Sequence, residues 1–263
     1  MFAGLARLPR GLIGGAVLLW SWAAAQAGIG VAPPRFEFTA TPGQTLPATV
    51  TVFAAESPTL RIVPSVTDWL LDPAGTLLVL PPNSHAYSAA PWIHLEASPF
   101  ELTADAPRDI RFNLTVPEGA RGTYWAALAF TTEPQPGVQQ GVEVLIQTQI
   151  LAIVYVTVAG TERPGAEIAS TFVETDAAGR RYAVADVINT GNVYLRLQGR
   201  LTLKNTQGAT VRTLELGERV LLRDGVVRYR VPLPEDLPED TLLAAFEIAG
   251  VGPETLYGEV MLR

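Results

Sequence analysis

The chain reads as all-β, arranged as two consecutive β-sandwiches. Three observations predict this. Short apolar runs with period-two alternation recur along the 263 residues, and no stretch shows sustained helical spacing. Pro and Gly are abundant, 21 and 23 residues, and they cluster between the runs as turn punctuation. A polar stretch, residues 160–165, interrupts the rhythm, which resumes beyond it.

The first 27 residues stand apart. Arg7 and Arg10, the apolar run Gly11 to Trp22 and the small-residue site Ala25-Gln26-Ala27 read as a secretory signal, with Gly28 the first mature residue. The alternative is an uncleaved anchor, for which the apolar run is short. The expected location is therefore the periplasm or the exterior, with no stable membrane insertion after signal removal. The chain has no Cys, which excludes a lipid-anchored cysteine, a disulfide, a thiolate metal site and a thiol nucleophile. Its net charge of −7 gives no electrostatic reason to bind nucleic acid.

Residues 28–159 form the first predicted domain. Val31 to Thr39 is read as one strand, followed by the turn Thr41-Pro42-Gly43-Gln44. Ala48 to Phe53 alternates. Leu60 to Trp69 carries Pro64, which predicts a bulge or an edge there. Thr76 to Leu80, Trp92 to Glu96, Asp109 to Val116 and Thr123 to Thr132 follow, with Pro81 to Pro91 a loop and Glu133 to Gly141 a mobile loop. Trp69, Trp92 and Trp125 are expected between the sheets, with carbohydrate stacking the alternative for one of them. Residues 166–263, after the hinge 160–165, are read as a second sandwich of about seven strands.

One stretch organises the chain: Val142 to Val158, VEVLIQTQILAIVYVTV. It is too rich in β-branched residues for a comfortable helix. Val142, Val144, Ile146, Thr148, Ile150, Ala152, Val154, Val156 and Val158 share one face. The other face is polar in its first half, at Glu143, Gln147 and Gln149, and apolar afterwards. The pattern predicts one long strand that starts at an open edge and ends inside a sandwich. Three readings remain open: a core strand, an edge offered to another chain, or a transmembrane helix, which the polar residues disfavour.

Chemistry is sparse. No nucleophile elbow, Walker loop, dinucleotide fingerprint or zinc-protease motif occurs, so no catalytic residue, cofactor or metal is assigned. His85 is read as a solvated loop residue and His94 as a sheet-surface residue. Glu235-Asp236 and Glu239-Asp240 read as a solvated acidic loop, or as a weak Ca²⁺ contact. Arg35 is either a surface strand charge or a carboxylate anchor. A protein that binds by backbone pairing is expected to leave little side-chain signature.

These features resemble the periplasmic pilus-assembly chaperones. The resemblance rests on the signal, the two tandem immunoglobulin-like sandwiches, the early Pro34-Arg35-Phe36-Glu37-Phe38 strand with Pro42-Gly43 after it, and the Val142-to-Val158 strand. It implies an exported, non-enzymatic protein that lends strand 142–158 to a pilin-like or other envelope subunit. Val142, Val144 and Ile146 would complete the partner's sandwich, and Arg35 would anchor its terminal carboxylate. The family also places a Lys on the long strand. Here no Lys or Arg occurs between Val142 and Val158, and Leu151 stands about where it is expected. The alternative is an envelope structural or adhesion module that binds through loops 81–91 or 133–141. Self-association through the open edge is a further expectation.

Overall fold

A computed structural model describes residues 28–54, 59–139 and 141–262. The signal read over Met1–Ala27 lies outside them. Twelve strands precede the hinge: β1 Ile29–Ala32, β2 Arg35–Ala40, β3 Thr45–Ala54, β4 Leu60–Leu71, β5 Leu77–Leu80, β6 Ile93–Leu95, β7 Phe100–Leu102, β8 Arg108–Thr115, β9 Gly122–Thr132, β10 Gln135–Gln139, β11 Val142–Ile146 and β12 Gln149–Val158. One sheet runs β1-β3-β8-β6. The facing sheet runs β2-β12-β9-β4-β5, with β7 also on β4. Between them Val50, Val52, Phe112, Leu114, Leu60, Ile62, Leu128, Phe130, Val154 and Val156 are buried. The expected inward row Ile110, Phe112, Leu114 and Val116 is part of this core.

The single strand expected over Val31–Thr39 is two. β1 pairs antiparallel with β3, and β2 pairs parallel with β12 in the other sheet. The chain changes sheets at Pro33-Pro34, where two successive residues lack the N–H a ladder needs. Pro64, by contrast, does not break β4. It pairs with Phe130 of β9, while β4's outer neighbours β7 and β5 cover only Leu60–Ile62 and Asp68–Leu71. Pro64 therefore sits where the outer side of β4 is an edge.

The long strand expected over Val142–Val158 is also two, broken at Gln147-Thr148. The register explains the break. Gln149 faces Thr131 and Ile146 faces Gln135. Thr132 N donates to Thr148 O (2.8 Å) and Thr148 N donates to Thr132 Oγ1 (2.9 Å). That leaves Glu133 and Pro134 opposite Gln147 alone, a two-against-one bulge. Glu133 N continues the ladder to β4 at Arg61 O (3.0 Å), and Pro134 has no N–H to offer. The loop expected over 133–141 is largely strand β10, which pairs antiparallel with β11 in a separate two-stranded ribbon. Its Pro136 is tolerated because β10 is an edge strand.

Beyond the hinge lie β13 Ala166–Thr175, β14 Arg181–Asn189, β15 Leu195–Asn205, β16 Thr210–Leu221, β17 Val226–Pro232, β18 Thr241–Val251 and β19 Glu254–Met261. They form sheets β13-β14-β17 and β16-β15-β18-β19 around Leu197, Leu201, Leu203, Tyr229, Phe246 and Ile248. A three-on-four antiparallel sandwich is the immunoglobulin-like arrangement. Among the described residues the one helical turn is Ala90–Trp92, and no helix is long and apolar enough to cross a membrane.

The tryptophans correct an expectation. Trp69 and Trp125 are buried, but between the sandwiches rather than between sheets. They cluster with Ala127, Tyr155 and Leu222, the last from the second sandwich. Odd-numbered residues of β9 and β12 face away from the first core, so parity sends Trp125 and Tyr155 outward. Trp92 packs against the first core, as expected. Asn192 fastens the hinge. Its O accepts Thr123 N (2.9 Å), its Oδ1 accepts Arg163 N (2.7 Å) and its Nδ2 donates to Thr161 O (2.8 Å).

Candidate partner-binding site

The site is built on β11 and β12. β9 flanks β12 along its whole length and continues into β10, which flanks β11 on the same side. On the opposite side β2 covers β12 only from Ile153, opposite Arg35, to Val158. Among the described residues, the backbone edge of 142–146 and 149–152 therefore has no hydrogen-bonded strand on that side. This edge spans about 33 Å at ~3.3 Å per residue. It begins in the ribbon and ends where β2 starts.

Side chains along the edge continue the pattern of the core. Ile150, Ala152, Val154, Val156 and Val158 pack into the first core. Val142, Val144 and Ile146 carry the same face outward onto the ribbon, where it is only partly covered among the described residues. Val142 is 62% exposed and Ile146 43%, while Val144 is half-buried. Gly137, opposite Val144, makes room for Ile146: a Cβ there would stand 2.6 Å from Ile146 Cδ1. The other face of the ribbon is also apolar, with Leu145 74% and Val138 69% exposed. Isolated exposed apolar residues are ordinary, but this many on one five-residue ribbon mark a contact surface.

Arg35 lies at the inner end of the edge. Its Nε is 2.9 Å from Glu37 Oε1, two residues along the same face of β2. Arg196 of β15 reaches the same Glu37 oxygen from the second sandwich and is held on its other side by Glu218 (3.1 Å). Beneath this group Tyr155 stacks on Tyr194, with ring centroids 4.3 Å apart. Burial raises the pKa of Tyr194; Glu37 pushes it the same way and Arg196 opposes. Leu151, where a Lys would complete the resemblance, packs against the aromatic cluster between the sandwiches. The sequence reading named Arg35 but missed Glu37, Arg196 and Tyr194. The signals were present: Glu37 stands at i+2 from Arg35, and Tyr194 and Arg196 alternate at the start of β15.

The second half of the loop 81–91 is packed into the protein, while Pro81 to Ser84 stay exposed. Asp68 is fully buried and accepts Ser84 N (2.7 Å) and Ser88 Oγ (2.7 Å). Tyr87 bonds Asp224 of the second sandwich, and Arg223 lies 3.8 Å over its ring. His85, expected in solvent, stacks on Trp125 at 4.6 Å, with its Nε2 3.8 Å from Asp68. Tyr87 N donates to His85 Nδ1, which places the ring proton on Nε2. Burial lowers the His85 pKa, against the pull of Asp68. The unfolded chain thus takes up this proton first. Stability should be level above about pH 6.5 and fall below it, by at most about 1.4 kcal/mol per pH unit for one proton. Urea unfolding at pH 7.5 and pH 5 should show the loss, and His85→Asn should flatten it. The other histidine, His94, is exposed on β6, as expected.

Among the described residues no group of acidic and histidine side chains is placed to hold a metal. In the acidic loop, Asp236 pairs with Arg212 (3.0 Å).

No family model matches the chain, and no curated protein matches it. Solved structures with a similar trace include the YadV chaperone, with 10% identity and a TM-score of 0.47, covering 89% of this chain and 99% of that one. Another is the CsuC–CsuE chaperone–tip adhesion subunit pre-assembly complex of Acinetobacter baumannii Csu pili, with 12% identity and a TM-score of 0.47, covering 89% and 98%. A third is the Salmonella enterica SafA pilin in complex with the SafB chaperone, with 10% identity and a TM-score of 0.44, covering 90% and 99%.

Proposed function

We propose that this chain is an exported, non-enzymatic binding protein of the pilus-assembly chaperone type, which lends the edge of β11 and β12 to an envelope subunit lacking a strand. The observation that supports this reading is the one-sided edge from Val142 to Ala152, with apolar side chains uncovered on its outer half. A partner's incomplete sandwich would take Val142, Val144 and Ile146 into its groove. Each fully buried side chain would contribute ~1.5–3 kcal/mol before ordering costs. Backbone bonds along the edge would set direction and register. Arg35, at the end of that edge, would receive the carboxylate of a strand running parallel to β12.

The test is Ile146→Asp. Ile146 lies outside both cores, so thermal stability should stay within about 0.5 kcal/mol of wild type. Recovery of the partner from an envelope-fraction pull-down should be abolished. Unchanged co-purification would defeat the reading. The alternative of an envelope module that binds through loops has less to stand on, because the Tyr87 part of loop 81–91 is engaged with the second sandwich and 135–139 is strand.

A further inference from the structure

The end of the open edge holds an arrangement that strand addition alone does not require. Two guanidiniums from different sandwiches, Arg35 and Arg196, converge on one oxygen of Glu37. A strand laid along the edge cannot pass Ile153, because β2 already occupies the ladder there. Such a strand must end or turn beside Arg35. If it runs parallel to β12, its C-terminal carboxylate arrives where Glu37 now sits.

We propose that Glu37 is an internal occupant of a two-arginine carboxylate site and that the terminal carboxylate of the partner strand displaces it. The inference rests on the edge reading above and adds a second cation, Arg196, and a competitor within the chain. Charge decides between displacement and addition. Arg35 and Arg196 are balanced by Glu37 and Glu218, so a further carboxylate gains net attraction only as Glu37 withdraws. Withdrawal is cheap. All three groups are partly exposed, Arg35 at 48%, Glu37 at 42% and Arg196 at 29%, and solvent-exposed ion pairs contribute little net stability. Arg196 is kept in place without Glu37, by Glu218 and by the Tyr194 ring 5.9 Å beneath its guanidinium. Tyr194 is itself fixed by stacking on Tyr155. Arg196 would thus do from the second sandwich what no residue of 142–158 can do.

The probe is a fluorescent alternating valine–threonine peptide long enough to cover the edge, made as the free acid and as the C-terminal amide. Both are titrated against the full chain and two variants. Wild type should bind the acid about tenfold more tightly than the amide. Glu37→Gln should widen that ratio several-fold by removing the competitor's charge. Arg196→Gln should bring it close to one. Binding of both peptides with a ratio that Arg196→Gln does not alter, or that Glu37→Gln does not raise, overturns the exchange but leaves the edge reading standing. Failure of both peptides to bind takes down the edge reading and this inference with it.

Discussion

Gly122→Ala is expected to cost about 3 kcal/mol and to loosen the two sandwiches, whereas Gly119→Ala, three residues earlier, should cost about 1 kcal/mol. Both glycines have positive φ, +74° and +80°, so both substitutions carry the strain of a left-handed alanine. They differ in surroundings. A Cβ on Gly119 meets nothing within 4 Å, but on Gly122 it would stand 2.1 Å from Asn192 O. That carbonyl accepts Thr123 N, and Gly122 N donates to Thr161 Oγ1 (2.8 Å). Moving Asn192 away breaks the hinge at its fastening point. Urea unfolding of the two variants should separate the strain common to both from the clash. Small-angle scattering should report a broadened distribution of interdomain distances for Gly122→Ala only.

Trp125→Ala should be the most damaging single substitution, at about 3–5 kcal/mol for a fully buried tryptophan. The Trp125 and Trp69 indoles each donate to a backbone carbonyl of the other's strand. Trp125 Nε1 donates to Trp69 O (2.8 Å), and Trp69 Nε1 donates to Ala126 O (3.1 Å). Deleting the indole leaves a cavity between the sandwiches, an unpaired Trp69 carbonyl and an unsupported His85 ring. The loop carrying Tyr87 then loses its floor, and with it the bond to Asp224. Thermal unfolding should split into two transitions as the sandwiches uncouple, the earlier one shifted down by many degrees. A single transition near the wild-type temperature would show that the cluster contributes little.

Much of the architecture was legible in period-two alternation. The rows Ile110-Phe112-Leu114 and Val154-Val156-Val158 point where their spacing says, because a buried sheet face tolerates no slip. The failures share a cause: local chemistry that depends on a neighbour remote in sequence. Pro136 and Gly137 read as loop, although β11 makes them strand. The break at Gln147-Thr148 depends on Thr132, which takes both backbone groups of Thr148 just before the Glu133-Pro134 bulge. The site was half legible. Arg35 and the row Val142, Val144, Ile146 could be named from one strand each, but Arg196 meets Glu37 across 159 residues of chain. His85 misled because a polar residue among Pro and Ser looks solvated until the Trp125 face is known to lie beneath it.

The two prolines beside the ribbon bear on stoichiometry. A free hairpin offers two flanks, and two flanks permit chains of molecules to stack without limit. Pro136 within β10, and Pro134 just before it, lack an N–H group, so that flank makes the poorer template for growth. Only the β11 flank keeps a full set of donors. For the role proposed, the molecule is monovalent: it takes one guest and cannot seed a fibre of its own kind from that ribbon.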